Sequence, residues 1–212
     1  MAGEMSEISI IIPHRHTPPN DKALYIAVAS IIANTKCDYE LLIDTTTPGD
    51  PYEVCNALAT GARSEWLFFS NSDVFVAPHW DEVLLRHRSP DVMVKPTVIE
   101  PGAIGVHHEN IHANFGMTPE TFRQKDFEAF CATNPAVPGP DGFYFYGLLH
   151  RETFIRRGMF DTARGKFPTP LDIFFDDDWK ASGRNILHVQ SYVYHLQNWS
   201  NPVEQDKAVR YA

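Results

Sequence analysis

A chain of 212 residues suits one domain with a sizeable core, and 43% apolar content marks it as globular rather than disordered. Its formal charge of -9, from 27 acidic against 18 basic side chains, argues against a nucleic-acid surface, which needs a basic face. The same charge is compatible with a nucleotide, because a divalent cation can reconcile carboxylates with phosphate oxygens.

The first seven residues are polar and acidic, unlike a secretory leader, and no apolar run approaches the roughly 20 residues that span a bilayer. The expectation is a cytoplasmic protein without a transmembrane segment. Cys37, Cys55 and Cys131 are odd in number and widely spaced, which reads as reduced, partly buried thiols rather than a disulfide framework.

In chain order, residues 8–12 form a β-branched run stopped by Pro13. A run without alternation predicts a strand buried on both faces, as in a parallel sheet. Helical spacing of Leu24, Ala27, Ile31 and Ile32 predicts a helix over 21–33. A short strand over 39–43 follows, ending at Asp44, then a helix over 51–62 and a strand over 66–70. This β-α-β-α-β order predicts an α/β domain with an open, mostly parallel central sheet flanked by helices. Ligands in such sheets bind beyond the carboxyl ends of the strands. Three such ends carry polar groups: Pro13-His14-Arg15, Asp44, and Asn71-Ser72-Asp73.

The second half is less regular. Residues 92–98 read as a strand, 103–116 as a loop, and 134–141 as a proline-rich loop. Thr118 followed by Pro119 predicts a helix start. Residues 142–149 are aromatic and strand-like. Thr169-Pro170 and Gly183 bracket a helix through Asp176-Asp-Asp178, and a strand over 186–194 delivers His195. No repeat or linker divides the chain, so 1–212 is expected to be one domain.

Asp73 lies between the apolar runs 66–69 and 74–76, where a carboxylate can hold a hard cation that bridges phosphate oxygens. His195, at a strand end, could complete a carboxylate-imidazole site. On a helix, Asp172 and Asp176 share one face, and their proximity would raise one pKa toward that of a general base. The neighbouring Phe174, Phe175 and Trp179 suggest partial enclosure. His14-x-His16 and His107-His108-x-x-x-His112 invite a zinc reading. Zinc needs three or four convergent ligands, however, and spacing along a chain does not establish convergence. The second group falls in the loop over 103–116.

Together these fragments resemble the family 2 glycosyltransferases, whose nucleotide-sugar-binding domain has the GT-A fold. The resemblance covers most of the chain and implies a nucleotide-sugar-binding half over about 8–98 and an acceptor-side half over 99–200. Ser9-Ile-Ile-Ile-Pro-His-Arg15 resembles the family's opening strand and its end. Asp44 falls where an acid contacts the nucleoside base. Glu65-Trp-Leu-Phe-Phe leads to Asn71-Ser72-Asp73 in the place of the Asp-x-Asp metal motif, with its first acid replaced by Asn71. Gly147-Leu-Leu-His-Arg151 and Gly158-Met-Phe-Asp161 resemble the acceptor side, and Val193-Tyr-His195 the late metal-binding histidine.

The resemblance implies inverting transfer from a nucleotide-diphosphate sugar, most readily a UDP-sugar, to a hydroxyl on a glycan, lipid or protein. Mn²⁺ or Mg²⁺ would be held by Asp73 and His195. The donor would lie against Pro13, His14, Arg15, Asp44, Asn71, Ser72 and Asp73. Asp176 and Asp172 are joint candidates for the base, with Asp177 behind them. A nucleotidyltransferase would instead show a Gly-rich phosphate loop after the first strand, where this chain has Pro13-His-Arg-His-Thr-Pro-Pro19. A catalytically silent binding module of the same fold is the remaining alternative.

Overall fold

The computed structural model describes residues 6–44, 49–102, 110–134 and 146–196. Among these residues eight strands form one sheet. β1 (Ile8–Pro13) lies between parallel neighbours β2 (Tyr39–Asp44) and β3 (Trp66–Phe69). Beyond β3, the order continues through strands from the second half of the chain. The antiparallel β7 (Gly147–His150) comes first, then β5 (Val92–Glu100), β8 (Asn185–His195) and the antiparallel edge strand β4 (Val74–Val76). A two-residue strand, β6 (Ile111–His112), pairs with β5. Parallel pairing predominates, and β7 and β4 are the two strands that oppose their neighbours.

The isoleucine run of β1 is buried on both faces because helices cover both sides of the sheet. On one side, Ile10 and Ile12 pack with Ile31, Phe68 and Trp80. On the other, Ile11 packs with Tyr52, Phe69, Phe175 and Trp179. The first helix, α1 (Pro18–Asn34), begins three residues before the predicted start at Asp21. The Thr17 side chain caps it by accepting the Asn20 N–H, and Pro18 and Pro19 fill the opening positions, where a missing N–H costs nothing. α2 (Pro51–Gly61) is capped by Asp50, and α3 (Trp80–Arg86) follows β4.

The predicted helix start at Thr118 is a correction. Thr118 and Thr121 close a turn instead, the two hydroxyls lying 3.1 Å apart, with the Thr121 N–H donating to the Thr118 hydroxyl. The helix proper, α4, spans Gln124–Thr133. A threonine that can cap a helix can equally close a single turn. α5 (Arg151–Arg156) follows β7 directly. α6 (Leu171–Ala181) occupies the predicted acidic segment, and Gly183 beyond it has φ +79°, the left-handed conformation that glycine tolerates.

The edge strand β4 needs partners for its outer backbone groups. α1 supplies them: the Ser30 hydroxyl accepts the Val76 N–H, and the Asn34 amide donates to the Val76 carbonyl. On its inner side, β4 pairs Val74 with His195, and the Leu196 N–H donates to the Asp73 carbonyl at 3.1 Å. These contacts fix the backbone of Asp73 beside the end of β8. Among the described residues no helix is long and apolar enough to cross a membrane, and Cys37, Cys55 and Cys131 are free thiols, as expected.

Candidate active site

Strand direction brings one rim together. The carboxyl ends of β1, β2, β3, β5 and β8 lie on it, with the amino ends of the opposing strands β4 and β7. The rim therefore carries Pro13, Asp44, Asn71, Ser72, Asp73, Glu100, Tyr146 and His195.

At its centre stands a carboxylate-imidazole-carboxylate series. His195 Nδ1 lies 2.7 Å from Glu100 Oε1, and His195 Nε2 lies 3.7 Å from Asp73 Oδ2. The Asp73 and Glu100 side chains are each 1% exposed and that of His195 12%. Burial alone would lower the imidazole's pKa. The charge of Asp73, then the hydrogen bond and charge of Glu100, outweigh burial and raise it. Glu100 also selects the tautomer: a neutral ring donates its Nδ1 proton to this carboxylate and turns the Nε2 lone pair toward Asp73. A carboxylate oxygen and an imidazole nitrogen then face one another across a gap that a small divalent cation suits. A second carboxylate behind the imidazole is the usual support of a metal-ligating histidine.

Tyr146 shapes the remaining side. Its ring meets His195 edge-on at a centroid distance of 5.7 Å, and its hydroxyl accepts a 3.3 Å hydrogen bond from the Asn71 amide. Of the other predicted donor contacts, Ser72 is buried, Pro13 and Asp44 are half-buried, and Arg15 is exposed. His14 sits at the end of β1, where its N–H reaches the Asp44 carbonyl, but its ring is turned to Asp21.

The three candidate bases separate on α6. Asp172 accepts a 2.7 Å hydrogen bond from the Tyr52 hydroxyl, and Asp177 is exposed. Asp176, with its side chain 16% exposed, forms an ion pair with Lys95, whose side chain is 3% exposed. Burial pushes the Asp176 carboxyl up to about 6; Lys95 opposes that shift and the charge of Asp172 adds to it. Register places Lys95 level with the end of β3, since Val94 faces Leu148, which faces Phe68. Gly147 lies against it: a Cβ there would stand in ordinary van der Waals contact, 3.5 Å from Lys95 Cγ. Alternation along β5 puts Lys95 and Glu100 on opposite faces of the sheet. The Asp176 pair and the His195 series therefore approach the rim from different sides.

Sequence reasoning passed over Glu100 and Lys95. Glu100 ends a strand in a parallel sheet, the same signal that singled out Asp44 and His195. Lys95 interrupts an apolar strand, and a lysine there must find a buried partner. Of the remaining histidines, His112 lies exposed on β6, while His107 and His108 fall outside the described residues.

No protein-family model matches the sequence, and no curated protein matches it. Solved structures do match in fold. GalNAc-T7, crystallised with UDP, GalNAc and Mn²⁺, aligns with TM-score 0.59 and 13% identity over 91% of this chain and 44% of its own. S. aureus TarS (residues 1–349) aligns with TM-score 0.57 and 13% identity over 89% of this chain and 60% of its own. The chain thus spans about half the length of these structures. Both are GT-A glycosyltransferases, and the chain has the GT-A fold.

Proposed function

We propose that the chain is an inverting glycosyltransferase of the family 2 type, moving a sugar from a nucleotide-diphosphate donor to an acceptor hydroxyl. The observation that carries the reading is the Asp73–His195–Glu100 series at the carboxyl rim of a GT-A sheet. A UDP-sugar is the preferred donor, because UDP and Mn²⁺ accompany GalNAc-T7 in its crystal. Asp73 and His195 Nε2 would hold Mn²⁺ or Mg²⁺, which when bound supplies positive charge to the departing diphosphate. Glu100 holds the imidazole in the tautomer that offers Nε2. Asp44 and Pro13 flank the place for the nucleoside, and Asn71, tied to Tyr146, closes the rim beside the phosphates. The free thiols suit a cytoplasmic setting.

Asp176 is assigned as the base. Its carboxylate takes the acceptor O–H proton as the oxygen bonds to the anomeric carbon and the bond from that carbon to the diphosphate breaks, inverting the centre. A carboxyl titrating at about 6 suits this, being ionised at neutral pH yet more basic than an exposed one.

A second reading is a catalytically silent binding module of the same fold. It is favoured by Asn71 in the metal motif and by Lys95 already pairing Asp176. A panel of nucleotide-sugars with Mn²⁺ separates the two. The expected result is thermal stabilisation by one donor and release of its nucleoside diphosphate when acceptors are supplied. Stabilisation without release would replace the transferase with the module, and no response to any donor would overturn both.

A further inference from the structure

The end of β1 carries a second convergent set of ligand atoms that the proposed transfer does not use. His14 Nε2 lies 2.8 Å from Asp21 Oδ1, and His16 Nδ1 lies 2.7 Å from the same oxygen. The three ligand atoms stand within 4.8 Å of one another. The His14 and His16 rings meet edge-on with centroids 5.9 Å apart. From this geometry we propose that His14, His16 and Asp21 form a site for a divalent transition metal of the zinc class, with an open coordination position. The proposal is independent of the nucleotide-sugar reading and stands or falls whatever the chain transfers.

Two imidazoles and one carboxylate are a sufficient protein donor set for zinc. In a tetrahedral shell with bonds near 2.1 Å, ligand atoms stand about 3.4 Å apart. The two nitrogens, now 2.8 and 2.7 Å from Asp21 Oδ1, therefore need retreat from it by about 0.7 Å to admit an ion at that spacing.

The local fold holds the set in place from two directions. His14 is anchored by the last hydrogen bond of β1, with its side chain fully enclosed. Asp21 lies in the first turn of α1, where its N–H donates to the Thr17 carbonyl at 2.9 Å. His16 bridges these elements and is 71% exposed, with Asp21 40% exposed, so solvent or an anionic ligand can reach a fourth position.

The dipole of α1 opposes a cation at this end, but the effect is small beside three metal-ligand bonds, and a negative Asp21 offsets it.

Calorimetric titration with Zn²⁺ alone tests the site in the wild type, in His16→Ala and in Asp21→Asn. All three proteins keep Asp73 and His195, so zinc bound there cancels in the comparison. The wild type is expected to bind one equivalent more than either variant, or to bind it at least tenfold more tightly. The exposure of His16 makes its truncation compatible with folding. Imidazole ¹⁵N spectra of the wild type provide a second readout that needs no variant: His14 Nε2 and His16 Nδ1 should shift on adding Zn²⁺. Equal stoichiometry and affinity in the three proteins, or imidazole resonances of His14 and His16 that stay still, would overturn the proposal.

Discussion

Replacing Asp176 with Asn is expected to lower the transfer rate by about 10²–10⁴-fold, the usual contribution of a positioned base, while donor binding stays near wild type. The wild-type rate should rise with pH through about 6, because Asp176 must lose its proton to act and burial delays that loss. The pH dependence of stability runs the other way. The folded carboxyl titrates at about 6 against an ordinary value of 3.8, so between those values the folded state holds more protons. The contribution of Asp176 to stability is therefore complete below about 4 and is lost as pH rises through about 6.

Lys95→Met tests the same pair from its other member. It should cost about 3–5 kcal/mol, since it strands a buried carboxyl without its cation. It should also move the rising limb of the pH-rate profile upward, since Lys95 holds the Asp176 pKa down. Denaturant melts across pH and single-turnover rates measure both effects. If Asp176→Asn keeps full activity and Asp172→Asn loses it, the base is Asp172 and the Lys95 pair is structural.

Glu100→Gln should weaken Mn²⁺ binding about 10–100-fold with little change in the fold, the usual cost of losing the group that orients a metal-bound histidine. The glutamine keeps the volume and an acceptor oxygen but removes one of the two charges beside His195. Manganese titration followed by electron paramagnetic resonance measures the change directly, without turnover. Unchanged affinity would confine Glu100 to packing.

The sequence made plain those parts of the fold whose signal is local. Short, mainly apolar runs announce β1, β2 and β3, and the alternating helices predict a parallel sheet with cover on both faces. Asp73 and His195 were legible as partners because each ends or begins a strand at the same rim. The start of α4 is hidden because Thr118-Pro119 satisfies the capping rule locally. Phe115, Phe127 and Tyr194, packed in one cluster, join this region to the core. Those contacts have no local signature. Nor does chain spacing reveal that β7 inserts between β3 and β5, and that insertion brings Tyr146 against His195 and Gly147 under Lys95.

His14 illustrates the same limit. Its place after β1 suggested a donor contact, whereas the turn into α1 carries Asp21 back to its ring. A one-dimensional reading could see His14-x-His16 but not the third group that makes the pair convergent. Asp172 and Asp176 do share a face of α6, yet Tyr52 and Lys95, which give them different environments, are remote in sequence.

The central claim is that Asp73 and His195 hold a cation that ties the donor's diphosphate to the rim. Its most direct test is UDP binding by calorimetry, with and without Mn²⁺, in the wild type and in Asp73→Asn. The account predicts that the wild type binds UDP tightly only with Mn²⁺, and that Asp73→Asn loses this metal-dependent gain. Equal, Mn²⁺-dependent UDP binding by both proteins would contradict it.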